Sequence, residues 1–143
     1  MNHDRKTKIL KKRIEIYQDF ILTLIDNVFK YYVDKESINT QEIMENHFEY
    51  CFNKTNDLFK LEGIDFSTNN ELKSYFFNYL HRNFYDSENV FEKKYFINFW
   101  KNFFDVDKVS KKRNSGEIVQ TISAIINVFE KSMNKNENIF NYL

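Results

Sequence analysis

Proline is absent from this 143-residue chain, and glycine occurs only at Gly63 and Gly116. Sheet sandwiches and barrels need turn chemistry every ~8–12 residues, much of it Gly or Pro. The chain lacks that supply, and no short β-branched runs alternate with helical stretches, so all-β and α/β classes are disfavoured. One cysteine, Cys51, excludes an intramolecular disulfide and fits a reducing, cytoplasmic setting. The basic start runs into charged, periodic sequence with no small-residue cleavage site, so no signal peptide is expected. The most apolar stretch, Phe20 to Val33, is broken by Asp26 and Lys30. It falls short of the ~20 apolar residues a membrane span requires, so no membrane association is expected.

Motifs that carry chemistry are also missing. There is no GxSxG, no glycine-rich phosphate loop and no nucleophile with an adjacent base. His47 and Cys51 lie four apart and share a helix face, and His81 or His3 could join them. Without CxxC, HxxxH or ExxH spacing, packing explains that pair better than metal ligation. Asp19 and Asp26, seven apart, share a face of the first helix. Paired carboxylates do acid–base work only when buried together. The expectation is a protein with no catalytic residues, no metal and no cofactor.

What is present is bias toward a few residue types. Asn, Lys, Phe, Ile and Tyr make up more than half of the chain, and Ala124 is the sole alanine. All five abundant types have AT-rich codons, which points to an AT-rich genome such as that of a low-GC bacterium, a phage or a mobile element. Positive and negative charges cancel overall but are segregated. Residues 5–13 carry Arg5, Lys6, Lys8, Lys11, Lys12 and Arg13, and residues 108–113 carry Lys108, Lys111, Lys112 and Arg113. Residues 34–65 hold eight acids against three bases.

Apolar periodicity predicts an all-α bundle of about five helices in one domain spanning 1–143. Helix 1 is expected from about 5 to 34, with Leu10, Ile14, Tyr17, Ile21, Leu24, Val28 and Tyr31 on one face. A second row, Leu22, Ile25, Phe29 and Tyr32, makes this helix central. At ~45 Å it outruns a globule about 37 Å across, so residues 1–8 should protrude or be disordered. Asn39 with Glu42 has capping-box spacing for helix 2, which Gly63 should end as a left-handed cap with Ile64 packing back on Phe59. Ser67 or Thr68 with Glu71 should open helix 3, whose face is Leu72, Tyr75, Phe76, Tyr79, Leu80 and Phe84. Asp86 or Ser87 should open helix 4, and Asn114 with Glu117 helix 5, striped by Ile118, Ile122, Ile125, Phe129 and Met133. Residues 134–143 either extend helix 5 or form a short sixth element.

Sixteen phenylalanines, nine tyrosines and one tryptophan are a heavy aromatic load. Core filling absorbs most of it, because with one alanine the helices cannot approach closely. Helix 4 nevertheless has more rings than one buried face can take, so Phe96, Phe99, Trp100, Phe103 and Phe104 are candidates for a protein interface. Lys11, Lys12 and Arg13, with Lys108, Lys111, Lys112 and Arg113 before a helix start, are candidates for anion or nucleic-acid binding. The leading functional expectation is a non-enzymatic helical module that binds another protein, of accessory, inhibitor or immunity type. Nucleic-acid binding through the two basic clusters is the alternative. Homo-oligomerisation is expected through helix 4 or the apolar C-terminal tail.

Overall fold

The computed structural model of the chain describes residues 3–32, 34, 37–86, 92–104 and 117–132. The described part is all-helical: α1 (His3–Lys30), α2 (Gln41–Lys60), α3 (Asn70–Leu80) with a π-helical extension (His81–Tyr85), α4 (Lys93–Phe103) and α5 (Glu117–Glu130). The caps expected at Asn114, the end of helix 5 at Met133 and the segment 134–143 lie outside the described residues.

α1 is the axis of the bundle and packs against α2, α4 and α5. Its two apolar rows explain why. Ile14, Tyr17, Phe20, Ile21, Leu24, Ile25 and Val28 are all buried, in a face about 140° wide at 100° per residue, and partly buried Leu22 and Phe29 widen it. Phe20 sits at the centre of the core. Its ring meets Phe66 at 4.7 Å, Phe59 at 5.3 Å, Phe52 at 5.4 Å and Phe129 at 5.9 Å, mostly edge to face. That geometry sets the positive ring edge against the negative face. Core rings from α2, α5 and the α2–α3 loop thus converge on one side chain of α1.

α1 ends at Lys30 rather than near residue 34. The chain must reverse to lay α2 antiparallel, and Tyr32 N–H already bonds back only three residues, to Phe29 O. Tyr31 and Tyr32 then pack against Tyr50 and His47 of α2. The N-cap of α2 is Thr40, not Asn39: the Thr40 hydroxyl accepts the Ile43 N–H. The other end of α2 follows the sequence. Gly63 has φ +83°, Gly63 N–H bonds Lys60 O, and Ile64 N–H bonds Phe59 O, both at 3.0 Å. These are the two bonds of a Schellman motif.

The α2–α3 loop is held by side chains. Asn56, buried on α2, accepts the Phe66 N–H at 2.7 Å and donates to Asp65 at 2.9 Å. Asp65 in turn accepts the Ser67 N–H, which removes Ser67 as a helix opener. Asn69 becomes the cap of α3, accepting the Leu72 N–H at 3.0 Å. Its amide also donates to Val128 O at 2.8 Å, so one residue serves the start of α3 and the end of α5. Gln18 of α1 does similar work for α4, donating to the carbonyls of Trp100 and Lys101.

Helix 4 begins at Lys93, later than the expected Asp86 or Ser87. α3 does not stop there. It widens into a π turn closed by Asp86 N–H to His81 O at 2.9 Å, and the Asp86 carboxylate pairs with His81 instead of capping a new helix. The extra residue in the turn rotates Phe84 and Tyr85 onto α1 and α2, where Phe84 meets Tyr32 at 4.9 Å and Phe29 at 5.0 Å.

Candidate functional site

α4 sorts its rings by helical period. Phe96 and Trp100 face α1 and α3 and are buried, and Phe104, just past the helix, is buried as well. Trp100 touches Tyr79 at 5.3 Å and Phe76 at 5.7 Å, and Phe96 touches Phe29 at 5.6 Å. These three of the five expected interface rings therefore belong to the core, because the bundle needs them to close α4 onto α1. Phe103 is half-buried, and Phe99 is 45% exposed. Tyr95, one turn before Phe99, is 59% exposed.

The outward rings form a continuous edge with α3. Phe99 lies parallel to Tyr79 with centroids 6.5 Å apart, and Phe103 follows at 5.7 Å. Tyr75 and Tyr95 both lie close enough to the Tyr79 hydroxyl for their charges to oppose its ionisation, and burial pushes that phenol up to about 12. The edge is therefore a surface of rings and phenol hydroxyls. Two of its members, Phe99 and Phe103, were legible in the sequence. Tyr79 and Tyr95 were not singled out, because the pairing of α3 with α4 is a tertiary fact.

The basic clusters divide differently. Lys11 and Lys12 are exposed. Arg13 is not available to a phosphate: it is buried against α5, with its guanidinium 2.6 Å from Glu130. Tyr17 donates its hydroxyl to the same carboxylate. The helical period explains this, because Arg13 shares the inward face with Ile14 and Tyr17. Lys108, Lys111, Lys112 and Arg113 lie outside the described residues.

His47 and Cys51 do share a face, and they meet a residue that the sequence reading missed. The Tyr85 hydroxyl lies 2.7 Å from His47 Nδ1, and Cys51 Sγ lies 3.7 Å from Nε2. Only the π turn brings Tyr85 there, so no α-helical period could have found it. Burial pushes the Cys51 thiol up to about 12 and pushes His47 below its ordinary value. The imidazole is then neutral and the thiol protonated, and Cys51 donates toward Asn27 O at 3.5 Å. A nucleophilic cysteine requires the opposite tuning, a depressed thiol beside a cationic partner. Among the described residues no group of three or more His, Cys, Asp or Glu converges to hold a metal ion.

The two carboxylates of α1 part company. Asp26 pairs with Lys93 of α4. Asp19 instead faces Glu15 and Glu62, and partial burial together with those like charges raises its pKa. A polar cleft of about 390 Å³ lies between the start of α3 and the end of α5. Among its lining groups, Lys131 pairs with Glu71 at 2.9 Å and the Asn69 amide donates to the Ser132 hydroxyl. No described helix is long and apolar enough to cross a membrane.

Compared with known proteins, the chain matches no protein-family model, no curated protein and no solved structure. The functional reading therefore rests on the geometry of this chain alone.

Proposed function

We propose that this chain is a non-enzymatic helical module that binds another protein through the ring edge of α3 and α4. In setting it is an accessory, inhibitor or immunity-type protein encoded by a phage, a mobile element or a low-GC bacterium. The observation that carries the reading is the exposure of Tyr95 and Phe99 directly beside the buried rings of α4. Large rings anchored on a packed core lose little side-chain entropy on binding and bury much apolar area. Catalysis has no comparable support, since the Cys51–His47 pair is held as thiol and neutral imidazole.

The test is a photo-reactive phenylalanine analogue at position 99, irradiated in native host extract. A single saturable adduct supports the reading when it disappears on competition with unlabelled protein but not with a Tyr95→Ser/Phe99→Ser variant. Labelling that the variant competes equally well would defeat it. So would salt-sensitive oligonucleotide binding that survives the double substitution, which would transfer the function to the cations at Lys11 and Lys12 and in the 108–113 segment.

A further inference from the structure

The π turn at the end of α3 is tied to α2 by two histidines, and the two ties answer a proton in opposite senses. His81 opens the turn. Its Nδ1 lies 2.9 Å from the Asp86 carboxylate, and its Nε2 lies 3.1 Å from the side-chain oxygen of Gln41. The Gln41 amide nitrogen donates to Glu45, which turns that oxygen toward the histidine. Both ring nitrogens therefore face acceptors, so an imidazolium fills both bonds and a neutral ring fills one. A proton strengthens this outer tie.

The inner tie is the reverse. Tyr85 is the last residue of the turn, is 6% exposed, and places its hydroxyl 2.7 Å from His47 Nδ1. Burial, with Cys51 and Tyr32 nearby, holds the phenol well above its ordinary value, so it keeps its hydrogen and donates. A ring that accepts at Nδ1 is neutral, with its own hydrogen on Nε2 and the Tyr31 carbonyl as acceptor. The titratable groups against His47 are Tyr85 of the turn, Tyr32 after α1 and Cys51 of α2. No carboxylate among the described residues offsets a charge on the ring. Arg82 and Asp86, the charged residues of the turn and its end, lie exposed. A proton on Nδ1 therefore sets two donors face to face. If the Tyr85 oxygen turns to accept, its hydrogen has no other acceptor among the described residues, and a half-buried cation is left without a counter-ion.

We propose that the π turn is an acid-released latch, closed while neutral His47 accepts the Tyr85 hydroxyl and freed from α2 when Nδ1 takes a proton. The turn is short enough to release locally: it spans five residues and closes with one bond, Asp86 N–H to His81 O, at 2.9 Å. Such turns recur at functional sites. The His81 tie holds through the same acidification, so release begins at Tyr85 and runs back toward His81. Phe84 moves with Tyr85 and touches Phe96 of α4 at 6.2 Å, so release reaches the helix that carries the ring edge. The latch works in the free chain. It goes beyond the protein-binding reading and is tested without a partner.

The experiment is amide hydrogen exchange on the full chain by NMR between about pH 4.5 and 8, across the histidine range. Each rate is normalised to that of an unstructured amide at the same pH. Ring-nitrogen shifts of His47 in the same samples give its protonation state and tautomer. A freed His47 takes its ordinary value near 6.5. Opening should therefore grow by up to about tenfold per pH unit below that, down to the lower value of the closed state. Protection of the Asp86 amide should fall accordingly, while the amides of Phe66 and Leu72 keep theirs. His47→Gln retains an acceptor for Tyr85 and should abolish the acid-induced fall. His81→Gln removes the opposing tie and should leave the fall at least as steep. Equal acid sensitivity in His47→Gln overturns the inference. So does titration of the His47 ring with no change at Asp86, or equal loss of protection at Phe66 and Leu72, which is acid unfolding of the whole chain. If His47→Gln does not fold, the ring shifts of the unsubstituted chain decide. A neutral ring with hydrogen on Nε2, lost with the same midpoint as Asp86 protection, is the expected result. An imidazolium inside the closed turn overturns the latch.

Discussion

Removing Arg13 while keeping Glu130 should be among the most damaging single changes that touch no apolar core residue. The two side chains are 9% and 1% exposed and lie 2.6 Å apart, and Tyr17 adds a third group to the network. At an effective dielectric of 20, opposite charges about 4 Å apart attract by about 4 kcal/mol. In Arg13→Met that attraction is lost and a carboxylate remains buried, which typically costs about 3–5 kcal/mol. Glu130→Leu removes the carboxylate that Arg13 and Tyr17 share and should cost a similar amount. The double variant Arg13→Met/Glu130→Leu buries no unpaired charge. Its expected loss is about 1–2 kcal/mol, mostly for the Tyr17 hydroxyl left without its acceptor. Urea unfolding of the four proteins, followed by circular dichroism, yields the coupling directly. The singles should also melt roughly 10–15 °C below the parent, at about 3 °C per kcal/mol for a chain of this size. A loss below about 1 kcal/mol in Arg13→Met, a typical surface value, would refute the buried pairing. Additivity of the two single losses within about 0.5 kcal/mol would also refute it, since unconnected sites add to that accuracy.

The remaining predictions concern groups with a defined local environment. Cys51, with its thiol held up at about 12 and buried, should resist a thiol reagent at pH 8 in the native protein. Its labelling rate should follow unfolding, and fast native labelling would contradict the packing of α2 on α1. His47 has a folded-state pKa below its ordinary value, so the unfolded chain takes up the proton first. Its stabilisation is complete above about pH 6.5 and is lost as pH falls through the folded value, and His47→Gln should flatten that part of the urea-midpoint profile. Asp65 is held down at about 2 by hydrogen bonds from Ser67 and Asn56. Its small, solvent-screened contribution should persist above about pH 4 and fade between there and pH 2, a feature that Asp65→Asn should remove. Gly63→Ala meets no neighbouring atom, yet φ is +83°, so the loss should be about 1 kcal/mol from backbone strain alone. A neutral or stabilising result would mean that the Schellman turn is not formed.

Helical class, the central place of α1 and the turn at Gly63 were all determined by the sequence, because each depends on local physics. A stripe at helical spacing has one way to bury itself, and a glycine after Leu61 and Glu62 is the residue best able to take the left-handed cap. Where side chains compete for several partners, tertiary structure decided. Ser67, Thr68 and Asn69 can all cap a helix, and Asn69 does so here. Asp65 holds the Ser67 N–H, and only Asn69 also reaches the carbonyl of Val128. Arg13 read as part of a basic patch until Glu130, from the far end of the chain, met it across α1 and α5. Tyr85 reached His47 through an i→i+5 turn that no α-helical period contains. The division of α4 into core rings and edge rings likewise depended on where α1 and α3 lie. Local sequence sets which side chains share a face. Which faces find a neighbour, and which of Phe96, Phe99, Trp100, Phe103 and Phe104 stay in water, follows from packing between helices distant in sequence.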